Sequence, residues 1–246
     1  MKRLITFLTI LLLTALHVLA QSTVWQFKVE HIRTLRNQHG TVTVDNVGIK
    51  YKSDREKRSL AWTFSDIQQL TLEPPYFEIL TYEDQKWKLG KDRIYRFKIL
   101  EGSIDARLSD FLRQRMTGTF VTAIVPEASE EPEYRVPVKH RLVLGGSEGI
   151  LEVYDDRVVY RSQSSRDSRV WTYRQIESFA FPSAREFELQ TDEKEFGGPT
   201  RTFRFYLKEA LPDSAYDFLW MRIHGSSYFP SGRRPATVHS TVGGSI

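Results

Sequence analysis

The chain has 246 residues with no cysteine, 35 basic and 31 acidic residues and a hydrophobic content of 40%, enough for one or two ordinary folded domains. The missing cysteine excludes disulfides, thiolate catalysis and cysteine-ligated metal sites. Four basic residues near the two ends, Lys2, Arg3, Arg233 and Arg234, account for the formal net charge of +4. The segment between them is neutral, whereas nucleic-acid-binding domains normally carry a basic excess. We therefore expect no nucleic-acid partner.

Residues 1–20 have the pattern of a secretory signal peptide. Lys2 and Arg3 precede an apolar run over residues 4–20 that three threonines and one histidine interrupt, and the run ends in Ala20. The alternative is an uncleaved membrane anchor, but a bilayer span needs about 20 strongly apolar residues, and this run is shorter and more polar. We expect an exported protein, periplasmic or extracellular, that is soluble after cleavage.

The rest of the chain contains an internal repeat. Residues 27–72 align without gaps on residues 136–181, with 11 identities in 46 positions, and Trp62 and Trp171 lie in the same Trp-Thr-aromatic frame. A repeat on this scale predicts two copies of one structural unit. We place the first domain at residues 24–116 and the second at 134–225.

The residue pattern of each copy predicts seven strands followed by one helix. The strand segments alternate apolar and polar residues and are rich in β-branched and aromatic side chains. In the first copy they cover residues 27–35, 41–44, 48–52, 60–64, 67–72, 77–82 and 94–99. Ser103 is expected to cap the first helix, Pro212 to lie in the first turn of the second helix and Gly225 to end it.

Two further segments complete the organisation. Residues 117–133 are rich in acidic residues and proline and predict an extended linker, of which residues 120–125 alternate enough to form a short edge strand. Residues 226–246 are rich in serine, glycine and proline, and we expect this tail to be disordered.

The middle of each copy resembles bacterial members of the pleckstrin-homology-like superfamily. The shared features are a glycine that opens the second strand, a turn, an aromatic residue and a polar-isoleucine step into the fifth strand. The positions are Gly40, Asp45, Asn46, Trp62, Asp66 and Ile67 in the first copy and Gly149, Asp155, Asp156, Trp171, Gln175 and Ile176 in the second. The resemblance implies a mainly β fold of two tandem seven-stranded barrels, each with a C-terminal helix. The superfamily's inositol-phosphate site does not transfer, since loops 36–39 and 145–148 lack a cluster of cations.

No catalytic frame is present, and we expect no enzyme activity, no cofactor and no metal site. His31 and His140 correspond between the copies and are interpreted as structural hydrogen-bonding residues. The acidic pairs Glu83-Asp84 and Asp192-Glu193 are interpreted as solvated hairpin charge. Trp62 and Trp171 are expected in the core rather than in a ligand site.

The strongest binding signal is a basic loop between the third and fourth strands of both copies. An anionic lipid surface or polymer is one interpretation, and a solvated hairpin tip is the other. The basic residues are Lys50, Lys52, Arg55, Lys57 and Arg58 in the first copy and Arg157, Arg161, Arg166 and Arg169 in the second.

The sequence therefore favours a non-enzymatic interaction module that binds an envelope protein or peptide, either beside the last helix or along an exposed sheet edge. Peripheral binding of anionic membrane through the paired basic loops is the alternative. An enzyme of an unrecognised kind comes third.

We predict cleavage after Ala20. Protein recovered from the cell envelope should begin at Gln21 in an intact-mass measurement, because signal peptidase cuts after a small residue that follows the apolar run. Recovery of a membrane-bound form that keeps Met1 would contradict the prediction.

Overall fold

The structure is a computed structural model that describes residues 24–228 apart from 56–58, 86–87, 128–129, 143–144, 165 and 196–197. The predicted signal peptide and residues 229–246 of the predicted tail lie outside the described residues. The described chain is mainly β, with two sheets and two helices. The sheets are formed by the two copies of the repeat.

The first sheet has eight strands in the order β4-β3-β2-β1-β7-β6-β5-β8. All neighbours are antiparallel except β8, which runs parallel to β5. The strands are β1 (Trp25–Ile32), β2 (Gln38–Val44), β3 (Gly48–Ser53), β4 (Ser59–Thr63), β5 (Ile67–Glu73), β6 (Tyr76–Gln85), β7 (Lys88–Glu101) and β8 (Thr119–Thr122). The last of these comes from the predicted linker.

The second sheet repeats the first seven strands in the order β12-β11-β10-β9-β15-β14-β13, and all its neighbours are antiparallel. The strands are β9 (Tyr134–Arg141), β10 (Gly146–Val153), β11 (Arg157–Ser162), β12 (Arg169–Thr172), β13 (Ile176–Ser183), β14 (Glu186–Lys194) and β15 (Thr200–Leu207). Among the described residues, this sheet has no counterpart of β8.

The mainly β fold is confirmed, but the two expected seven-stranded barrels are not closed, and the first sheet has eight strands. In the part of the chain that the structure describes, both sheets are open, with edges at β4 and β8 in the first and at β12 and β13 in the second. The single turns of 3-10 helix at Phe64–Asp66 and Tyr173–Gln175 redirect the chain between the fourth and fifth strands, and these strands do not pair.

A helix follows the seventh strand of each copy, as expected, but its ends differ from the prediction. Helix α1 (Ala106–Arg115) is capped by Asp105, which accepts a hydrogen bond from the Leu108 N–H, and not by Ser103. Helix α2 (Asp213–Tyr228) continues past Gly225, where we expected it to end. A glycine in a helix interior is destabilising by only about 1 kcal/mol, so its presence alone does not stop a helix.

Each domain has its own aromatic core, and the two cores are equivalent. Trp62 packs on Tyr95 with 4.7 Å between ring centroids, and Trp171 packs on Phe203 at the same distance. Gly40 makes room for this core, because a Cβ there would lie 2.3 Å from the Lys52 carbonyl oxygen. The repeated glycine of the second strand is therefore a packing requirement.

Truncation of either buried tryptophan should destabilise its own domain. Trp62 is 6% exposed and Trp171 is 2% exposed, and removal of a buried Trp side chain typically costs about 3–5 kcal/mol. We expect Trp62→Ala and Trp171→Ala each to lower the free energy of unfolding by this amount in denaturant titrations. Trp220→Ala at a half-exposed position is the control and should change it by no more than about 0.5 kcal/mol. If both core variants unfold like the parent protein, the assignment of the two tryptophans to the core is wrong.

Candidate functional site

The β5–β8 edge of the first domain contacts the second domain through side chains and backbone. Gln69 donates from Nε2 to the Lys194 carbonyl at 3.0 Å and accepts at Oε1 from the Lys194 N–H at 2.7 Å. Gln175 donates to the Phe120 carbonyl at 3.0 Å. Thr119 donates to the Asp192 carboxylate at 2.9 Å. The two domains are thus joined through β5 and β8, and three of these four hydrogen bonds involve no charged group.

A buried arginine lies at the centre of this interface. Arg169 is 3% exposed, and its guanidinium contacts Glu193 of its own domain at 3.2 Å and Glu73 of the first domain. Glu193 also accepts from Arg201 at 3.0 Å. Because an unpaired buried charge is very costly, Arg169 requires both carboxylates. One of these carboxylates belongs to each domain, so the charge pairing holds the domains together.

The other basic residues of the second loop are also engaged by the protein itself. Arg161 pairs with Glu152 at 3.1 Å and donates to the Pro126 carbonyl at 3.2 Å. Arg157 pairs with Glu130 at 2.9 Å. Arg166 is exposed, with its guanidinium 5.9 Å from the Tyr76 ring centroid. The structure therefore assigns three of the four arginines to contacts within the chain, two of them with residues of the connecting segment.

The first basic loop is more open. Lys50 pairs with Asp45 at 2.8 Å, and Lys52 and Arg55 are exposed. Lys57 and Arg58 lie outside the described residues. The two loops correspond in sequence, but their described basic residues do not form one set of free cations. These described residues therefore do not support avidity between two equivalent loops, on which membrane binding would depend.

The acidic pairs behave differently from each other. Glu83 and Asp84 are exposed at the end of β6. Asp192 and Glu193 lie in β14 at the domain interface, and the interpretation of this pair as solvated hairpin charge was wrong. Burial raises the pKa of Asp192 to about 6, although the hydrogen bond from Thr119 opposes this shift.

An unoccupied sheet edge distinguishes the second domain from the first. In the first domain, β8 pairs with β5 from Gln69 to Leu72, and Phe120 of β8 is buried in the core. Gly118 permits the close approach, because a Cβ there would lie 2.3 Å from the Gln68 carbonyl oxygen. The corresponding edge strand of the second domain is β13, and no described strand pairs with its outer side.

The helix beside this open edge presents an aromatic face. Tyr216 is 45% exposed and Trp220 is 50% exposed, and the two rings stack with centroids 6.2 Å apart. Tyr216 also contacts Phe179 of β13 at 5.2 Å. The corresponding positions of α1 are Ser109, which is buried, and Arg113, whose guanidinium lies 6.0 Å from the Phe120 ring.

The sequence analysis missed Tyr216 and Trp220 as candidate binding residues. The matching Asp-Phe-Leu triplets at 110–112 and 217–219 place the two helices in register. In this helix register, which lies outside the ungapped alignment of residues 27–72, Tyr216 aligns with Ser109 and Trp220 aligns with Arg113. We call the surface formed by Phe179, Phe181, Tyr216, Trp220 and the outer side of β13 the open edge.

The described residues contain no cluster of metal-ligating side chains and no helix that could span a membrane. No three histidine, aspartate or glutamate side chains among them are grouped to hold an ion. Neither α1 nor α2 is long and apolar enough to cross a bilayer.

Comparisons with known proteins identify no family. No family model and no curated protein matches the chain. A search of solved structures found a chain of the Spt16D–Pob3N heterodimer with a TM-score of 0.29 and 10% sequence identity, over 69% of this chain and 83% of that one. Similarity at this level supports no statement on function.

Loss of the Arg169 side chain should separate the domains and lower stability. Arg169→Ala leaves Glu193 buried and only partly paired, and breaking a buried ion pair typically costs about 3–5 kcal/mol. We expect this loss in chemical unfolding, together with faster amide exchange along β8. Arg166→Ala, three residues earlier and exposed, is the matched control and should change stability by no more than about 0.5 kcal/mol. Equal effects of the two variants would contradict the assignment.

Proposed function

We propose that the protein is an exported, non-enzymatic interaction module of two pleckstrin-homology-like domains, and that the second domain binds an extended segment of an envelope protein at the open edge. The single observation that carries the proposal is the contrast between β5, which β8 covers, and β13, which no described strand covers. Exposed strand edges with free backbone groups accept added strands.

The first domain supplies an internal example of such an occupant. β8 is an extended segment whose Phe120 is buried beside β5 and whose backbone continues the sheet, with the Ala123 N–H bonded to the Leu72 carbonyl at 3.0 Å. Phe179 and Phe181 of β13 correspond to Leu70 and Leu72, which are fully buried, but are themselves only partly buried. A bulky apolar side chain in the place of Phe120 would complete their burial.

The course of α2 indicates that the open edge is bound by a segment of another protein and not by the residues that follow α2. In the first domain the chain leaves α1 at Arg115 and turns back at Gly118 to form β8. In the second domain Gly225 corresponds to Gly118, yet the helix continues through it to Tyr228. The chain therefore does not turn back to β13 at the position where the first domain does, and we assign the open edge to a segment of another protein.

The pleckstrin-homology-like assignment rests on the shared strand order and on the helix that follows the seventh strand of each copy. The export assignment rests on residues 1–20. Membrane binding is the weaker alternative, because Arg157, Arg161 and Arg169 pair with carboxylates of this chain.

A synthetic peptide of residues 118–126, the β8 segment, is the probe that tests strand addition. Added to the mature two-domain protein, it should bind saturably and slow amide exchange of β13 at the outward-facing Phe179 and Phe181 N–H groups. A peptide with serine in place of Phe120 should bind at least about tenfold more weakly, which is about 1.4 kcal/mol. Binding should change little with ionic strength, since backbone pairing and apolar burial dominate.

Protein variants locate the binding site. The double variant Tyr216→Ser, Trp220→Arg gives α2 the residues that α1 has at the corresponding positions. It should weaken peptide binding at least about tenfold. Met221→Ser, at an exposed position on another side of α2, should leave it unchanged. Binding without protection of β13 would overturn the proposal. A gain in affinity on truncation after Tyr228 would assign the open edge to the chain's own tail and would also overturn it.

A further inference from the structure

A cleft of about 590 Å³ opens at the end of the first sheet, on the first domain and distinct from the open edge of the second. It lies where the ends of β1 and β3 and the middle of β7 meet the β1–β2 loop. Its wall includes His31, Arg33, Arg93 and Tyr95, and none of its described lining residues is acidic. Arg33 has no ion pair with a described residue, so the cleft is complementary to an anion.

His31 forms the floor of this cleft with an unused hydrogen-bonding atom. The residue is 8% exposed, and its ring packs on Phe97 with 4.7 Å between centroids and against the edge of Tyr51 at 5.2 Å. Its Nδ1 has no hydrogen-bond partner among the described residues. Burial, assisted by the charge of Arg33, lowers the pKa of His31 to about 4, so the ring is neutral near pH 7.

The second domain shows what the equivalent histidine binds. His140 occupies the same strand position and packs among the same kinds of rings, Tyr160 and Phe205. Its Nδ1 lies 2.9 Å from the Asp167 carboxylate, which also accepts a hydrogen bond from Ser147. Burial raises the pKa of Asp167, but the hydrogen bonds from His140 and Ser147 outweigh this and hold it below its ordinary value.

The first domain has no carboxylate at the aligned position. The two copies align without gaps through the loop between the third and fourth strands, and the position that corresponds to Asp167 is Arg58. An acidic residue that pairs with the buried histidine in one copy is thus replaced by a basic residue in the other. The histidine itself is retained.

We propose that the first-domain cleft binds a carboxylate of a ligand, which takes the place that the Asp167 carboxylate has in the second domain. The His31 Nδ1–H donates to the ligand oxygen, and Arg33 supplies the balancing positive charge, since Arg93 already pairs with Glu83 at 3.4 Å. A free dicarboxylic acid, an acidic side chain of a peptide and a peptide C-terminus share this chemistry. The ligand recovers the hydrogen bond that His31 lacks, because an unpaired buried polar atom is destabilising.

Titration of the mature protein with defined carboxylates tests the proposal and separates the sources. The probes are succinate, the amidated peptide acetyl-Gly-Glu-Gly, and acetyl-Gly-Gly-Gly with a free C-terminus; amidated acetyl-Gly-Gly-Gly and inorganic phosphate are the comparisons. Backbone amide resonances of Ile94 and Tyr95 report the cleft. We expect saturable shifts with at least one carboxylate, and the strongest identifies the source. No saturable shift with any carboxylate, or tighter binding of phosphate, would overturn the proposal.

Three variants complete the test. His31→Phe removes Nδ1 and should weaken carboxylate binding at least tenfold. Arg58→Asp introduces the aspartate that the second domain has at the aligned position, and it should weaken binding to the same extent. This variant keeps the test valid if His31→Phe folds poorly. His39→Gln, at an exposed histidine eight residues away, should leave binding unchanged. Undiminished binding in both His31→Phe and Arg58→Asp would show that the shifts arise elsewhere.

Discussion

The arrangement of this protein depends on the neutralisation of one buried positive charge. Arg169 is removed from water at the domain interface, and its guanidinium needs carboxylates on both sides, Glu193 from the second domain and Glu73 from the first. A guanidinium is well suited to this role, because its planar fork donates in several directions and cannot lose its proton. The first consequence is that two domains that repeat one fold are held in one arrangement, and their equivalent loops acquire different roles.

The second consequence is that the two domains repeat one fold but make different contacts. The interface covers β8, which pairs with β5, while no described strand pairs with the corresponding β13 of the second sheet. The first domain has an open cleft above His31, while in the second domain the Asp167 carboxylate contacts the equivalent His140. The contacts within each copy are therefore the basis for what we propose the free surface of the other copy binds. The first offers an extended strand with a buried Phe120, and the second offers a carboxylate on a buried histidine.

The strands, the repeat and the buried tryptophans follow from the sequence, because alternation and turn chemistry are local signals. The partner of an edge strand is not local, so the pattern at residues 120–125 predicts a strand but not its pairing with β5. Arg166 and Arg169 are both basic residues of one short segment, but Arg169 begins β12 and is buried against Glu193 and, across the interface, Glu73. Helix ends are similarly undetermined where Gly225 is tolerated inside α2.

Because these arginines pair within the chain, net charge is a poor guide to what this protein binds. The loop arginines of the second copy are counted as basic surface in the sequence, yet they pair with Glu152 on the neighbouring strand and with Glu130 and Glu193 from other segments. Once these pairs are formed, the electrostatic field outside the second domain is small, and long-range attraction to an anionic surface weakens with it. Recognition must then rely on short-range contacts, namely backbone pairing at the open edge and hydrogen bonding in the cleft. Both require a ligand of defined shape, so the proposed binding surfaces select partners by fit.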